Sequence, residues 1–309
     1  MLGDVDTKSF RKTHQDSMKV LVTGATGFTG SRLLPLLLDS GYQVRCFSRP
    51  TSDRSPLSAL GVEWAIGDFA DTQALLSALR GVDALVNIAS LGFGHADKIV
   101  ASAKEAGVKR GIFISTTAIF TKLNAGSKSI RLAAEEAIQA SGLEYTILRP
   151  TMIYGSSRDR NMWRLIRLLR VAPVLPIFGD GESLQQPIFV DDVAQAVLLA
   201  LKNDTTIGKS YNIAGRDPLT YNQVIDTVAS SLGKRVWKLH LPHMPIVRFL
   251  QFTERIELRL PIKAEQVLRL NENKAFSYQD AQRDFGFDPR SFEEGIDIEI
   301  KVVKPKKTG

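Results

Sequence analysis

Three glycines near the start of the chain restrict its local fold more than any other feature. Gly24, Gly27 and Gly30 are spaced three residues apart, between the apolar run Val20-Leu21-Val22 and a helical pattern over residues 31–40. Glycine at these positions permits a tight turn, a close approach of the backbone to a ligand and close packing of the helix on the strand. Because the N-terminus of a helix attracts anions, this strand–turn–helix context predicts that the turn binds a pyrophosphate.

Short apolar runs alternate with helical patterns as far as Pro150. Such runs are typical of parallel strands covered on both faces, and their alternation predicts right-handed βαβ units. We therefore predict an α/β fold, with a doubly wound parallel Rossmann sheet over residues 18–155 and a smaller, mostly C-terminal α/β region that binds substrate over 156–309. Residues 187–215 are expected to return to the Rossmann domain, and the polar residues 1–17 to form a flexible extension. The predicted strands are 20–22, 44–47, 63–66, 84–87, 111–115 and 145–149, and the predicted helices are 31–40, 72–79, 96–106 and 129–141.

Composition narrows the classes of function. The 309 residues carry a formal charge of +7, which suits anionic ligands, but the basic residues are too dispersed and too free of interleaved aromatics to predict a nucleic-acid partner. The single cysteine, Cys46, excludes an intramolecular disulfide and fits a reducing, cytoplasmic compartment. No apolar run approaches the ~20 residues of a membrane span. The four histidines are scattered without the spacing of a metal site.

The residues after the second and third predicted strands bear on the identity of the nucleotide. The second strand ends in Ser48 and Arg49, without the acidic residue that binds the ribose of NAD, so a 2′-phosphate is favoured and the cofactor is predicted to be NADP, with NAD as the alternative. A solvated surface arginine is the other interpretation of Arg49. Asp68 could accept the adenine amino group beneath Phe69, or could cap a helix, although Asp71 is better placed for that role. The predicted cofactor residues are Gly24, Thr26, Gly27, Phe28, Thr29, Gly30, Ser48, Arg49, Asp68, Phe69, Ile88, Ala89 and Ser90.

These features together resemble the short-chain dehydrogenase/reductase superfamily, in its extended or atypical epimerase/dehydratase branch. The resemblance covers about residues 18–296. It rests on the glycine turn and on Gly67-Asp68, Ile114-Ser115-Thr116-Thr117, Leu148-Arg149-Pro150-Thr151-Met152-Ile153-Tyr154-Gly155, Phe189-Val190-Asp191-Asp192-Val193-Ala194 and Tyr211-Asn212-Ile213-Ala214-Gly215. It implies a nicotinamide cofactor, with Pro150 and Ile153 bordering the nicotinamide.

The family's Tyr-x-x-x-Lys pair, which moves the substrate proton, is absent in that form. Alignment with the family's helix places Ser127 at the tyrosine position and Arg131 at the lysine position, and no tyrosine lies between Tyr42 and Tyr145. The resemblance implies that Ser115 and Thr116, together with Thr117, supply the hydroxyl that orients the substrate. The candidates to replace the missing acid are Tyr154, Lys122 and Lys128.

A basic stretch suggests how a substrate could be bound. Residues 158–170 are predicted to form an amphipathic helix that carries Arg158, Arg160, Arg164, Arg167 and Arg170. Its partner could be the diphosphate of a nucleotide sugar or an anionic membrane surface, and a merely solvated face is the third interpretation.

Two functions remain open at this point. One is an NAD(P)-dependent oxidoreductase or epimerase/dehydratase with a small-molecule substrate, a nucleotide sugar or a similar polar compound. The other is a non-catalytic NADP(H)-binding structural or regulatory subunit. A homodimer is an open alternative to a monomer.

Overall fold

The computed structural model describes residues 18–123, 126–159, 161–258, 260 and 262–302, so the predicted extension and Arg160 lie outside it. Seven parallel strands form the central sheet in the order β3-β2-β1-β4-β5-β6-β11, which confirms the predicted fold class. The remaining strands form three two-stranded pairs. The strands are β1 (Lys19–Thr23), β2 (Gln43–Ser48), β3 (Glu63–Ile66), β4 (Ala84–Asn87), β5 (Arg110–Ile114), β6 (Glu144–Pro150), β7 (Ile153–Tyr154), β8 (Val174–Phe178), β9 (Leu184–Gln185), β10 (Ile188–Phe189), β11 (Lys209–Ile213), β12 (Leu219–Thr220) and β13 (Trp237–Leu241).

Helices cover both faces of the sheet. They are α1 (Gly30–Asp39), α2 (Thr72–Leu79), α3 (Ala96–Glu105), α4 (Gly126–Ala140), α5 (Met162–Val171), α6 (Val190–Lys202), α7 (Tyr221–Ser231), α8 (His243–Arg255), α9 (Ala264–Leu270), α10 (Gln279–Phe285) and α11 (Phe292–Val302). One apolar cluster joins α1, α6 and α10 to the sheet, and a second joins α2, α3 and α4 to the opposite face. Successive residues of β1 alternate between them, since Val20 and Val22 enter the first cluster and Leu21 the second.

A late segment of the chain completes the sheet. The last strand, β11, pairs with β6 from Lys209 opposite Thr146 to Ile213 opposite Pro150, and the helix before it, α6, packs against α1. Arg110 fixes this edge from β5, because its buried guanidinium donates to the Ala200 carbonyl and to the hydroxyls of Thr146 and Thr206 at 2.7–2.9 Å. Burial lowers the pKa of Arg110 to about 10.

The C-terminal region forms two smaller apolar clusters beside the sheet. One joins α5, α7 and α11, and the other joins α8 to α9. The predicted helix over 158–170 begins later than expected, at Met162. The reason is Asp159, whose carboxylate accepts the backbone N–H groups of Asn161 and Trp163 at 3.0 and 3.1 Å and so leaves Arg158 in the preceding loop. No helix in the described ranges is both long enough and apolar enough to cross a membrane.

Candidate functional site

The glycine turn lies at the carboxyl end of β1, between β1 and β4, where the sheet order reverses. A Cβ on Gly24 would lie 2.8 Å from the Ala89 nitrogen, and a Cβ on Gly30 would lie 2.2 Å from the Gly24 carbonyl oxygen. Gly24 also has a φ of 69°, which disfavours a side chain. In the part of the chain that the structure describes, no side chain caps the N-terminus of α1 at Thr29. The turn therefore presents open backbone N–H groups to an anion.

The end of β2 offers a second part of a nucleotide site. Ser48 is buried, yet its Oγ has no hydrogen-bond partner within the described residues. Arg49 is exposed and forms no ion pair with any described residue, while Arg54 donates to its carbonyl at 3.3 Å. Buried polar groups are normally paired, so the orphaned hydroxyl together with the open turn fits a bound dinucleotide.

The loops after β3 and β4 carry the residues that the sequence predicts for the adenine. The ring of Phe69 lies 5.6 Å from both Phe47 and His95. Asp68 is exposed and accepts the Ala70 N–H, whereas Asp71 caps α2 by accepting the Ala74 N–H, which confirms its predicted role.

The end of β4 lies against the turn through polar contacts. Asn87 accepts the Thr23 hydroxyl at 2.7 Å and donates to the Ala89 carbonyl. Ile88 donates its N–H to the Thr23 carbonyl, and Ser90 caps the next turn by accepting the Gly92 N–H. These bonds hold the backbone of residues 88–90 next to Gly24.

Arg158 is a contact that the sequence reasoning missed. Its guanidinium reaches back from the loop after β7 and donates to the Thr26 carbonyl at 2.7 Å and to the Ser31 hydroxyl at 3.4 Å. A cation is thereby held on the glycine turn, close to the predicted pyrophosphate position. In the sequence, only Asp159 indicates this arrangement, because an aspartate is favoured just before a helix and would place Arg158 in the loop that precedes it.

One face of α4 carries the residues at the missing Tyr-x-x-x-Lys positions. Ser127, Arg131 and Glu135 are four residues apart and so lie on the same side of the helix. Arg131 donates to the Ser127 hydroxyl at 2.6 Å, and its guanidinium lies beside Gly92, in the loop after β4. Burial, and next the charge of Arg269, lower the pKa of Arg131. Arg131 has no carboxylate partner among the described residues.

Glu135 joins this face to the ends of β5 and β6. It is buried and accepts the Ser115 hydroxyl at 2.5 Å, while Arg149 donates to it from Nε and Nη2 at 2.5–3.1 Å. The Arg149 guanidinium also lies 5.5 Å from the centre of the Phe120 ring. The Ser115 hydroxyl is therefore fixed by a buried ion pair. An acid four residues after Arg131, at the spacing of one helical turn, is the signal that could have revealed this contact.

The remaining candidates are two threonines that follow β5 and two lysines near the start of α4. Thr116 stays near Ser115 and accepts the Ala118 N–H, while the buried Thr117 donates to the Pro150 carbonyl at 3.3 Å. The Lys128 ammonium donates to the Thr121 carbonyl at 2.7 Å, and Lys122 is exposed.

Tyr154 is removed from the candidates by its environment. Its side chain is 1% exposed, packs against Phe189 and Phe292, and lies where a Cβ on Gly295 would be 2.0 Å from its hydroxyl. Its hydroxyl donates to the Phe292 carbonyl at 3.3 Å, and burial raises its pKa. A phenol enclosed in this way cannot exchange a proton with a substrate, so the prediction for Tyr154 was wrong. Its strand neighbour Ile153 is half-buried and pairs with Ile188.

A C-terminal segment forms the opposite wall of the cleft. Glu272 accepts the Thr121 hydroxyl at 2.8 Å and the Lys122 N–H at 2.7 Å, and Phe276 lies 5.6 Å from Phe120. Lys274 donates to Gln185, and burial lowers its pKa to about 8. The segment 269–276 therefore faces the ends of β5 and α4 and encloses the space beside Arg131. None of these residues has a local sequence pattern that predicts such a role.

Comparisons with known proteins agree with this geometry. Residues 24–204 match the model of the NAD(P)H-binding family. The 2-alkyl-3-oxoalkanoate reductase of Stenotrophomonas maltophilia (strain K279a) is 28% identical over 324 residues, covering 90% of this chain and 97% of that protein. The N-acetyl-alpha-D-glucosaminyl-diphospho-ditrans,octacis-undecaprenol 4-epimerase of Escherichia coli O157:H7 is 26% identical over 260 residues, covering 72% and 75%.

A solved structure is similar over nearly the whole chain. The UDP-glucuronic acid 4-epimerase from Bacillus cereus, in complex with NAD, has a TM-score of 0.74 at 21% identity and covers 93% of this chain and 99% of its own. At that identity the likeness shows the shared fold.

Proposed function

This chain belongs to the NAD(P)H-binding family, in the extended branch of the short-chain dehydrogenases/reductases, and on that premise we propose that it is an NADP-dependent oxidoreductase or epimerase/dehydratase whose substrate carries an anionic group. The observation that carries the proposal is the Arg131 guanidinium, which lies in the cleft without a carboxylate partner among the described residues and near a second cation, Arg269. Because Arg269 already pairs with Glu265 at 2.7 Å, a phosphate or carboxylate bound there would supply the counter-charge that Arg131 lacks among the described residues. Both curated relatives have names that specify such a group, an alkanoate in one and a diphospho compound in the other.

The cofactor supplies or accepts a hydride at a substrate carbon. In the proposed reduction, Ser127 and Arg131 bind the substrate oxygen on which negative charge develops, as donors in an oxyanion site do. Arg131 stays protonated at neutral pH and is a donor only, so the proton that completes the alcohol comes from water. Thr116 lines the same end of the sheet and can donate its hydroxyl hydrogen to the carbonyl, whereas Ser115, whose hydroxyl donates to Glu135, can only accept from the hydroxyl of the alcohol product.

The choice of NADP rests on Arg49, which forms no ion pair with any described residue, and on the neighbouring Ser48 hydroxyl, which has no hydrogen-bond partner among them. We expect Arg49→Ala to weaken NADPH binding by roughly 10- to 100-fold, the scale of a lost charge-assisted hydrogen bond, and to leave NADH binding unchanged. Titration of cofactor fluorescence measures both affinities. Arg80→Ala is the matched control, because Arg80 is an exposed arginine that precedes β4 and so lies at the amino ends of the strands, away from Arg49. An unchanged ratio of NADPH to NADH affinity in Arg49→Ala would overturn the choice of NADP.

Substrate class is tested with a panel read out by nicotinamide absorbance for reduction and by chromatography of the products for epimerisation or dehydration, which leave no net change in the cofactor. The panel contains nucleotide sugars, 2-alkyl-3-oxo acids and the neutral methyl esters of those acids. We expect turnover of one anionic class and little turnover of the esters. Arg131→Gln should lower kcat for acids and esters alike, because a donor to the developing oxyanion is lost, and should raise the KM by about 10-fold or more for the anionic substrate alone. If acids and esters react equally well, the anionic-group proposal fails. Reaction with nucleotide sugars alone would identify the diphosphate as the bound group.

The non-catalytic alternative makes an opposite prediction. A binding subunit retains NADPH affinity but turns over no member of the panel. The double variant Ser127→Tyr/Arg131→Lys restores the family pair on the same face of α4. If that variant turns over a substrate on which the natural chain is silent, the natural chain is a cofactor-holding protein and the enzyme proposal is wrong.

A cytoplasmic location remains part of the proposal and is supported by the buried free thiol of Cys46.

A further inference from the structure

The helical hairpin of α8 and α9 has its own small core. Val247 and Leu250 of α8 pack against Ala264 and Val267 of α9, and all four side chains are buried. Thr253 is buried on the same side of α8 and donates to the Leu250 carbonyl. One face of α8 is therefore fully used by contacts within the protein.

The outward face of α8 is also apolar. Phe249 and Phe252 are each 60% exposed and Ile256, just beyond the helix, is 56% exposed. Their spacing of three and four residues places them in one stripe along the helix. Leu258 and Ile262 continue the exposed apolar surface after the helix ends. An amphipathic surface helix normally has polar residues on its outer side, so this stripe indicates a binding surface.

Arginines border the stripe. Arg248 and Arg255 are one heptad apart on the same flank of α8, both are exposed, and neither forms an ion pair within the described part of the chain. Two acids lie in this stretch. Glu254 is exposed, with its carboxylate accepting the Ala264 N–H on the side of α8 that faces α9, and Glu257 lies exposed beyond the helix. The chain as a whole carries a formal charge of +7. The complementary partner is therefore apolar inside and negatively charged at its surface.

We propose that the outer face of α8, formed by Phe249, Phe252 and Ile256 with Arg248 and Arg255, docks on an anionic phospholipid bilayer. Apolar side chains of a helix that lies in the bilayer surface enter the acyl boundary, while arginines at its flank bind lipid phosphates. A second copy of this chain fits the face less well, since a two-fold contact through α8 would bring the arginines of the two copies together.

The test is co-sedimentation of the full chain with vesicles of phosphatidylcholine alone and with vesicles that also contain phosphatidylserine. We expect binding to the anionic vesicles, release as the salt concentration rises, and little binding to the neutral ones. Arg248→Gln/Arg255→Gln should weaken binding by about 25-fold, since each basic residue near the surface contributes about 5-fold. Phe249→Ser/Phe252→Ser should weaken it by at least about 10-fold for each phenylalanine.

Matched controls separate the face of α8 from general surface effects. Arg80→Gln removes an exposed arginine between α2 and β4, and Val302→Ser removes an exposed apolar residue of α11; neither should change vesicle binding. Unchanged melting temperatures show that the α8 variants are folded. Light scattering without vesicles measures the molecular mass of the free protein and so tests the alternative that the face of α8 forms a dimer. The proposal is overturned if wild type does not bind anionic vesicles, if the α8 variants bind as wild type does, or if the phenylalanine variant instead dissolves a dimer.

Discussion

Replacement of Glu135 by alanine should destabilise the protein more than any other single change at the cleft. The carboxylate is buried, accepts the Arg149 guanidinium through two nitrogens, and also accepts the Ser115 hydroxyl. In Glu135→Ala the guanidinium remains half-buried without its counter-charge. Loss of one partner of a buried ion pair costs about 3–5 kcal/mol of unfolding free energy.

That cost can be expressed as a melting temperature. For 309 residues, an unfolding entropy of about 2.1 cal/mol/K per residue gives about 0.65 kcal/mol for each kelvin. Glu135→Ala should therefore melt about 5–8 °C below wild type when unfolding is followed by far-ultraviolet circular dichroism. Glu136→Ala, the exposed neighbour on the same helix, should remain within about 0.5 kcal/mol of wild type.

The double variant Glu135→Leu/Arg149→Met distinguishes the ion pair from simple loss of packing. Removal of both charges leaves neither one unpaired, so this variant should be close to wild type in stability, although Glu135→Leu and Arg149→Met alone are each destabilised. The reasoning is refuted if Glu135→Ala melts within about 1 °C of wild type, or if the two single losses simply add in the double variant.

Three further predictions concern other parts of the molecule. Arg158→Gln, which removes the cation from the Thr26 carbonyl, should weaken NADPH and NADH binding alike by about 10-fold in calorimetric titration, and unchanged affinities would contradict a role at the turn. Burial raises the pKa of Glu299 from its ordinary value of 4.5 to about 9. Between these two pH values the carboxyl is protonated in the folded protein but ionised in the unfolded chain. Stability should therefore fall as pH rises from about 5 to 9, and melting curves of Glu299→Gln should show a flatter dependence. Burial raises the pKa of Cys46 to about 12, so iodoacetamide at about pH 8 should modify this thiol only after unfolding, as mass spectrometry would show.

Local patterns predicted the sheet well because the forces that form parallel strands are local. A continuous apolar run such as Gly111-Ile112-Phe113-Ile114 has few other solutions, and β5 was found within about one residue at each end. The conformation of the glycine turn was equally predictable, because the atoms that exclude a side chain at Gly24 and Gly30 belong to the same βαβ unit and to the end of β4.

The cleft was less predictable because its contacts join residues far apart in sequence. Nothing near Tyr154 in the chain indicates that Gly295, on the last helix, leaves room for its phenol in the core. Similarly, the alternation of arginine and leucine favoured a helix from Arg158, whereas the Asp159 side chain takes up the backbone N–H groups where that helix begins. Sequence periodicity predicts a helix or strand taken alone. The burial of Tyr154 and the position of Arg158 depend instead on contacts with other parts of the chain.

The late arrival of β11 has a consequence for biosynthesis. While the ribosome is still making α5 and α6, β6 is an unpaired edge whose backbone groups can recruit a strand from another chain. Arg110 meanwhile lacks the Ala200 and Thr206 oxygens that it binds in the finished fold. The N-terminal half, although it contains the whole glycine turn, should therefore depend on chaperones until residue 213 has emerged, and a gene shortened at residue 155 should yield aggregates in place of a miniature nucleotide-binding protein.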